Sequence, residues 1–390
     1  MKKTFTLVLI ISWQTLLSQS SINVQQQFEL AVQQYERLLA THPDVKKFPF
    51  TSNPDGSLKD MPSEWWTSGF FGGSLWFLYD YTKDVKWRDA AHQWTIAVEQ
   101  EQYNTGTHDL GFMMYCPFGN GYHITKEESY KQIMLTGAKS LATRFDPKVG
   151  LIKSWDRFQN YDYPVIVDNM MNLEYLFWAS KISGDQRYYD ICIQHADKTI
   201  GNHYRPDGSS YHVVCYDNNG NVIAKKTAQG AADESAWARG QAWGLYGFTV
   251  MYRETKQKKY LKHAQKAANF WINHPHLPAD KIPYWDFNAP DIPNEDRDAS
   301  AAAITTSALF ELSKYSKGKL KKQYLQTAIK TLESLCSEAY RATLGKNNNF
   351  LIMHCVGHKP ANSEVDVPLI YADYYFLEAL LRYDALYNKN

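Results

Sequence analysis

The sequence predicts an all-α protein, six helix pairs closed into an (α/α)6 barrel. Three observations predict it. Apolar residues recur at helical spacing almost throughout. The helices come in pairs, an apolar one followed by a more polar one. Long connections separate the pairs, and each leads into an apolar helix.

The pairs read as 64–82 with 84–101, 108–116 with 127–145, 168–183 with 185–203, 234–255 with 257–274 and 298–316 with 319–339. The helix at 367–387 lacks a successor and the one at 23–41 lacks a predecessor, so the two chain ends form the sixth pair. Hinges within pairs resemble one another: Y-T-K-D-V-K-W, S-G-D-Q-R-Y-Y and T-K-Q-K-K-Y. Each is a short polar turn followed by an aromatic that packs back on the first helix. First members are apolar and small (F-F-G-G-S-L-W-F-L, M-M-N-L-E-Y-L-F-W-A, G-Q-A-W-G-L-Y-G-F), whereas second members carry more Lys, Arg, Gln and Asp. A helix apolar all round is buried and a one-sided helix lies outside. An open helical solenoid also pairs its helices. Closure is favoured here because the terminal helices complement each other and the period is loose, at about sixty residues.

The connections contain two strand-like pieces, S-S-Y-H-V-V-C-Y-D at 209–217 and Y-W-D-F at 284–287. Long connections in a compact domain are usually functional. Preceding inner helices, they gather with their short strands at one mouth of the barrel. No Pro-, Gly- or Ser-rich linker divides the chain, so residues 21–390 form a single domain.

The chain opens M-K-K, then an apolar run from Phe5 to Trp13, then S-Q-S ending at Ser20. A charged start, a short apolar stretch and small residues at the cut mark residues 1–20 as a secretory signal peptide. The run is too short for a stable membrane anchor, and no Cys near the cut offers a lipid attachment point. Its removal takes Lys2 and Lys3 and no acid, moving the formal charge from +1 to −1. The mature chain is expected to be exported, as to a bacterial periplasm, with no membrane attachment.

A near-zero charge, from 42 basic and 41 acidic residues, leaves no footprint for nucleic acid. Five cysteines (Cys116, Cys192, Cys215, Cys336, Cys355) without a C-x-x-C pair argue against a metal cluster or a disulfide framework. Aromatics make up 15%, with 12 Trp and 27 Tyr, more than a core needs, so some line a cleft.

Two stretches carry the chemistry: T-H-D-L-G-F around Asp109 and V-I-V-D-N-M-M-N-L around Asp168. Each aspartate stands where a loop turns into an apolar inner helix. Alone, either reads as an N-cap. Their company changes the reading: Trp65, Trp66, Trp155, His212, Gln229, Arg239 and Trp243 also precede or open inner helices. Carboxylates and aromatic platforms converging from several helix ends suit the holding and hydrolysis of a sugar. A helix N-terminus lowers a carboxyl pKa, and a general acid needs the opposite. Burial against Trp and Met, or a second carboxylate, would have to raise one of the two.

The chain resembles glycoside hydrolase family 88, the unsaturated glucuronyl hydrolases. The matching stretches are E-W-W-T-S-G-F, T-H-D-L-G-F, V-D-N-M-M-N-L, S-S-Y-H, T-A-Q-G-A-A-D-E-S-A-W-A-R-G-Q-A-W-G-L-Y-G-F, Y-W-D-F, D-A-S-A-A-A-I-T and A-D-Y-Y-F-L-E-A-L-L-R, spread over residues 62–383. The W-x-R-G-Q-A-W-G block is the most specific. The resemblance implies an (α/α)6 barrel without metal or cofactor. It also implies a substrate, the Δ4,5-unsaturated uronic acid at the non-reducing end of lyase-made oligosaccharides. It makes Asp168 the general acid/base and Asp109 a second essential carboxylate. Trp66, His108, Trp155, His212, Gln229, Arg239 and Trp243 then hold the unsaturated sugar. The implied chemistry protonates C4 and hydrates C5 of the vinyl ether, with one acid/base serving both steps.

In the segment 358–368, where some family members contact sulfate, this chain shows no matching basic motif, and Glu364 and Asp366 would repel sulfate if they face the cleft. The nearest rival is an unsaturated rhamnogalacturonyl hydrolase acting on pectin fragments, which shares the barrel and a catalytic aspartate. T-H-D-L-G-F and W-A-R-G-Q-A-W-G favour the glucuronyl type over it. A rival of another class, a sugar-binding barrel without catalysis, would need no proton donor.

Overall fold

A computed structural model describes residues 22–387. The signal segment expected at 1–20 lies outside the described residues. Twelve α-helices follow in order: α1 (Val24–Thr41), α2 (Ser68–Thr82), α3 (Val85–Ile96), α4 (Asn120–Thr125), α5 (Glu128–Ala142), α6 (Leu173–Ser183), α7 (Gln186–His203), α8 (Ala238–Thr255), α9 (Lys258–Asn273), α10 (Ala299–Lys314), α11 (Gly318–Leu335) and α12 (Ile370–Tyr387).

The six pairs are present. Within a pair, α2 packs on α3, α6 on α7, α8 on α9 and α10 on α11. Inner helices also pack side by side, from α8 through α10 and α12 to α2. The contact of α12 with α2 closes the ring and removes the open solenoid. Tyr35 of α1 seals the sixth pair by donating to Asp373 Oδ2 of α12 (3.3 Å), whose carboxylate also accepts from the backbone of Leu351 and Ile352 (2.8 and 3.0 Å).

Burial follows the sequence pattern. In α9 the buried residues Tyr260, His263, Ala264, Ala267, Ala268 and Trp271 recur at helical spacing, the mark of an outer helix. In α10 every residue from Ala299 to Ser313 is buried. The polar hinges have a local cause. Lys83 and Gly184 adopt left-handed φ (57° and 73°) and end their helices, and Asp84 and Asp185 cap the next by accepting from Lys86 and Arg187 backbone N–H.

Two inner elements depart from the expected α-helix. Gly111–Gly119 is a π-helical stretch with Pro117 inside, continuous with α4. Proline cannot donate to an α-helical ladder, and the wider turn accommodates it. Val167–Asn172 is a 3-10 stretch that leads into α6.

Short strands accompany the long connections, as anticipated. β1 (Phe48–Ser52) and β2 (Leu58–Met61) form a hairpin, as do β3 (Phe145–Asp146) with β4 (Leu151–Ile152), and β8 (Cys355–His358) with β9 (Ser363–Val367). An antiparallel three-stranded sheet joins β5 (Pro164–Ile166), β6 (Val213–Tyr216) and β7 (Val222–Lys226). The strand expected at 209–217 is thus confined to β6. Y-W-D-F makes only isolated bridges, Tyr284 to Arg297 and Asp286 to Trp237. Among the described residues no helix is long and apolar enough to cross a membrane.

Candidate active site

Asp109 and Asp168 reach one pocket from adjacent inner elements. Asp109 stands just before the π-helical stretch and Asp168 in the first turn of the 3-10 stretch, and neither makes a side-chain cap. The capping role open to them in sequence is therefore unfilled. The pocket, of about 90 Å³, is lined by Trp66, His108, Asp109, Phe112, Trp155, Ile166, Asp168, Gln229 and Arg239. Two wider surface clefts of about 560 Å³ contain none of these groups.

Both carboxyls are perturbed in the direction a proton donor needs. Burial pushes Asp109 up to about 7, while Thr107, Arg144 and Asn172 hold it back. Burial also pushes Asp168 up to about 7; Arg239 opposes the shift and the neighbouring charge of Asp109 adds to it. Burial thus outweighs any lowering by a helix end.

Two buried histidines flank the pair, and their partners set opposite tautomers. His108 Nδ1 lies 2.8 Å from the carbonyl of Ser154, which only accepts, so Nδ1 carries the proton and Nε2 presents a lone pair. That Nε2 is 3.3 Å from Asp109 Oδ1. His212 Nδ1 accepts from the backbone N–H groups of Ala228 (3.2 Å) and Gln229 (3.3 Å), so its proton sits on Nε2. Nε2 points at Asp168 Oδ1, 3.7 Å away. Burial holds His108 down at about 3 and His212 well below its ordinary value. Both rings are neutral, so neither contact is an ion pair. His108 Nε2, His212 Nε2 and Asp168 Oδ1 are buried with no hydrogen-bond partner. Unsatisfied buried polar atoms are costly, and a sugar bearing hydroxyls would satisfy all three.

Arg239 is the one cation lining the pocket among the described residues. It is held by Asp298 (3.2 Å) and donates to the carbonyls of Val356 and Gly357. Gln229 Nε2 donates to the same Gly357 carbonyl at 2.9 Å. Aromatic walls complete the pocket. Trp66 packs on Phe112 and Tyr371, and Trp155 lies edge-on to His212.

Of the ten residues singled out in sequence, seven line the pocket, His212 adjoins it through Asp168, and Trp65 lies outside it, 40% exposed and edge-on to Phe50. Trp243 does not line it either: it is 1% exposed and packs behind Phe112, Tyr371 and Tyr375. It stands one turn beyond Arg239 on α8, deeper in the barrel. Phe112 and Ile166 line the pocket without having been anticipated; apolar side chains carry no chemical signal in sequence. In the 358–368 segment, Glu364 pairs with Lys59 at 2.7 Å and Asp366 with His354 at 2.5 Å. Among the described residues no group of three or more His, Cys, Asp or Glu is placed to hold a metal ion.

Comparison with known proteins agrees with the fold. The family model for Glycosyl Hydrolase Family 88 matches residues 42–385. An unsaturated glucuronyl hydrolase of Formosa agariphila is 44% identical over 364 residues, covering 92% of this chain and 90% of its own. An unsaturated chondroitin disaccharide hydrolase of Streptococcus agalactiae is 30% identical, covering 87% of this chain and 86% of its own. The crystal structure of an unsaturated glucuronyl hydrolase specific for heparin superposes with a TM-score of 0.91 at 45% identity, covering 94% of this chain and 98% of the other. The chain belongs to Glycosyl Hydrolase Family 88 and is a glycosidase.

Proposed function

We propose that this enzyme releases the Δ4,5-unsaturated glucuronic acid from the non-reducing end of lyase-made glycosaminoglycan oligosaccharides. Asp168 carries the reading: a buried carboxyl pushed up to about 7 keeps a transferable proton near neutrality. The neutral His212 N–H faces its Oδ1, which leaves Oδ2 for the proton.

The substrate is a vinyl ether, electron-rich at C4. Protonated Asp168 gives its proton to C4, and positive charge develops at C5 and the ring oxygen. Water then bonds to C5 and passes a proton to the Asp168 carboxylate, which restores the acid. The hemiketal at C5 opens as the bond to the ring oxygen breaks, leaving a ketone at C5 and a hydroxyl on C1. C1 expels the aglycone as an alcohol and becomes an aldehyde. One water is consumed and no redox change occurs. Asp109 and His108 Nε2 accept sugar hydroxyls, Arg239 meets the uronate charge, and Trp66 and Trp155 hold the ring.

The relatives' names support a glycosaminoglycan substrate over pectin fragments. Identity is higher to the heparin-specific structure (45%) than to the chondroitin disaccharide hydrolase (30%). Unsaturated heparin and chondroitin disaccharides are therefore the two substrates to compare, read as loss of the ultraviolet absorbance of the conjugated double bond. Turnover of either supports the reading, and turnover only of unsaturated rhamnogalacturonan fragments overturns it. The M-K-K start and S-Q-S cut support export with a mature N-terminus at Ser21. N-terminal sequencing of periplasmic protein tests that, and an intact Met1 refutes it.

A further inference from the structure

Arg144 follows α5, outside the residues that line the pocket, with its side chain only 6% exposed. Its guanidinium donates to three backbone carbonyls: Nε to Lys153 (2.9 Å), Nη1 to Thr105 (2.8 Å) and Nη2 to Ser154 (3.3 Å). Its carboxylate partner, Asp156 at 3.1 Å, is 81% exposed, and an exposed ion pair contributes little. The carbonyls are what the guanidinium holds.

Those carbonyls belong to two different loops. Thr105 leads into His108 and Asp109, and Lys153 and Ser154 lead into Trp155. The Ser154 oxygen bound by Arg144 is also the one facing His108 Nδ1 at 2.8 Å. On its other side, Ser154 Oγ accepts from the backbone N–H of Ile166 at 3.0 Å, two residues before Asp168. One cation thus ties together the segments that carry both carboxyls and one aromatic wall.

We infer that Arg144 is a positioning residue for the reaction, clamping the loop of His108 and Asp109 to the loop of Trp155 and fixing the proton of His108 through the Ser154 carbonyl. The inference rests on the role proposed above for the two carboxyls. Its charge has a second effect, opposing protonation of both Asp109 and His108. Other charged or titratable groups around Asp109 are His108 on its own segment and Asp168 before α6, with Arg239 and His212 beyond Asp168.

Arg144→Met and Arg144→Lys separate the fork from the charge, with Asp156→Asn as control. Two readouts are needed: kcat/KM against pH on the unsaturated disaccharide, and the Asp109 titration followed by carboxyl ¹³C NMR, which needs no turnover. Arg144→Met should lower kcat/KM at least tenfold and raise the Asp109 midpoint. Arg144→Lys should restore the midpoint but not full activity, and Asp156→Asn should change neither by more than twofold. A merely structural Arg144 would lower Tm and leave the Asp109 midpoint where it was; that result overturns the inference, as does Arg144→Met activity within twofold of wild type. If wild type turns over no unsaturated disaccharide, the function proposed above fails. The NMR midpoints still decide whether Arg144 governs Asp109. If Arg144→Met does not fold, the Lys variant decides: full wild-type activity would refute the need for the fork.

Discussion

His212 Nε2 and Asp168 Oδ1 face each other at 3.7 Å, and both are buried without a hydrogen-bond partner. The gap is too long for a hydrogen bond, and a buried polar atom without a protein partner is costly. Backbone N–H groups on the far side of the ring make Nε2 the donor. The pair is therefore preset to receive an oxygen between them or to close on it.

His212→Ala should lower kcat/KM about tenfold to hundredfold, since a hydrogen bond to a charged or developing-charge group is worth roughly 1.5–3 kcal/mol. Steady-state kinetics check this. Unchanged kcat/KM would mean that the donor on Nε2 plays no part.

Asp168→Asn removes the transferable proton while keeping size. It should reduce kcat by at least about 10²–10⁴-fold with substrate binding retained. Asp109→Asn should lose more in binding and also shift the pH profile. The Asp109 charge raises Asp168, so removing it makes Asp168 ionise more readily. The alkaline limb of the residual activity, set by loss of the Asp168 proton, should then move to lower pH. The two carboxyls titrate as a coupled pair in the wild type. An alkaline limb that stays in place would show that Asp168 is not the group that must be protonated.

Stability should rise from about pH 4 to about pH 6.5. Burial depresses His108, His195, His203 and His263 to about 3 and His212 well below its ordinary value. Between these values and the unfolded value near 6.5 the unfolded chain binds more protons, so acid destabilises the fold. Asp109, Asp168 and Asp373, each raised to about 7, act in the opposite sense over about pH 4–7. His274, lowered to about 4, and His358, also lowered, add to the histidines, and Glu174 and Asp286, both raised, add to the opposing carboxyls. Seven histidines against five carboxyls leave the histidines dominant below about 6.5. Tm measured against pH checks the sign, and a Tm that climbs on acidification to pH 5 would contradict it.

The barrel was legible because helical periodicity is local, and α8, α9 and α12 lie within a few residues of their expected bounds. The carboxyl pair was legible because both aspartates stand at loop-to-helix boundaries. Their protonation was not, since burial decides it. Distant contacts were also invisible. Gln229 meets Gly357, which is 128 residues away, and Lys59 meets Glu364 across 305. Trp243 shows the opposite failure. Its motif also carries Arg239, but one helical turn takes it from the pocket into the core. The same holds for the π-helical turn, where Pro117 was visible in sequence and its consequence was not.

A saturated glucuronide with the same leaving group should be inert, because the proposed chemistry begins at the C4=C5 double bond. A conventional glycosidase attacks C1 with a pair of carboxylates and has no need of that bond. Assaying both sugars side by side distinguishes the two, and comparable rates would return Asp109 and Asp168 to an ordinary acid and base.

The most direct measurement is the fate of the proton that Asp168 delivers. Turnover in heavy water, with the product reduced at once so that C4 does not exchange beside its new ketone, should give one deuterium on a single face of C4. Product that carries no deuterium at C4 would contradict proton transfer from Asp168 to that carbon.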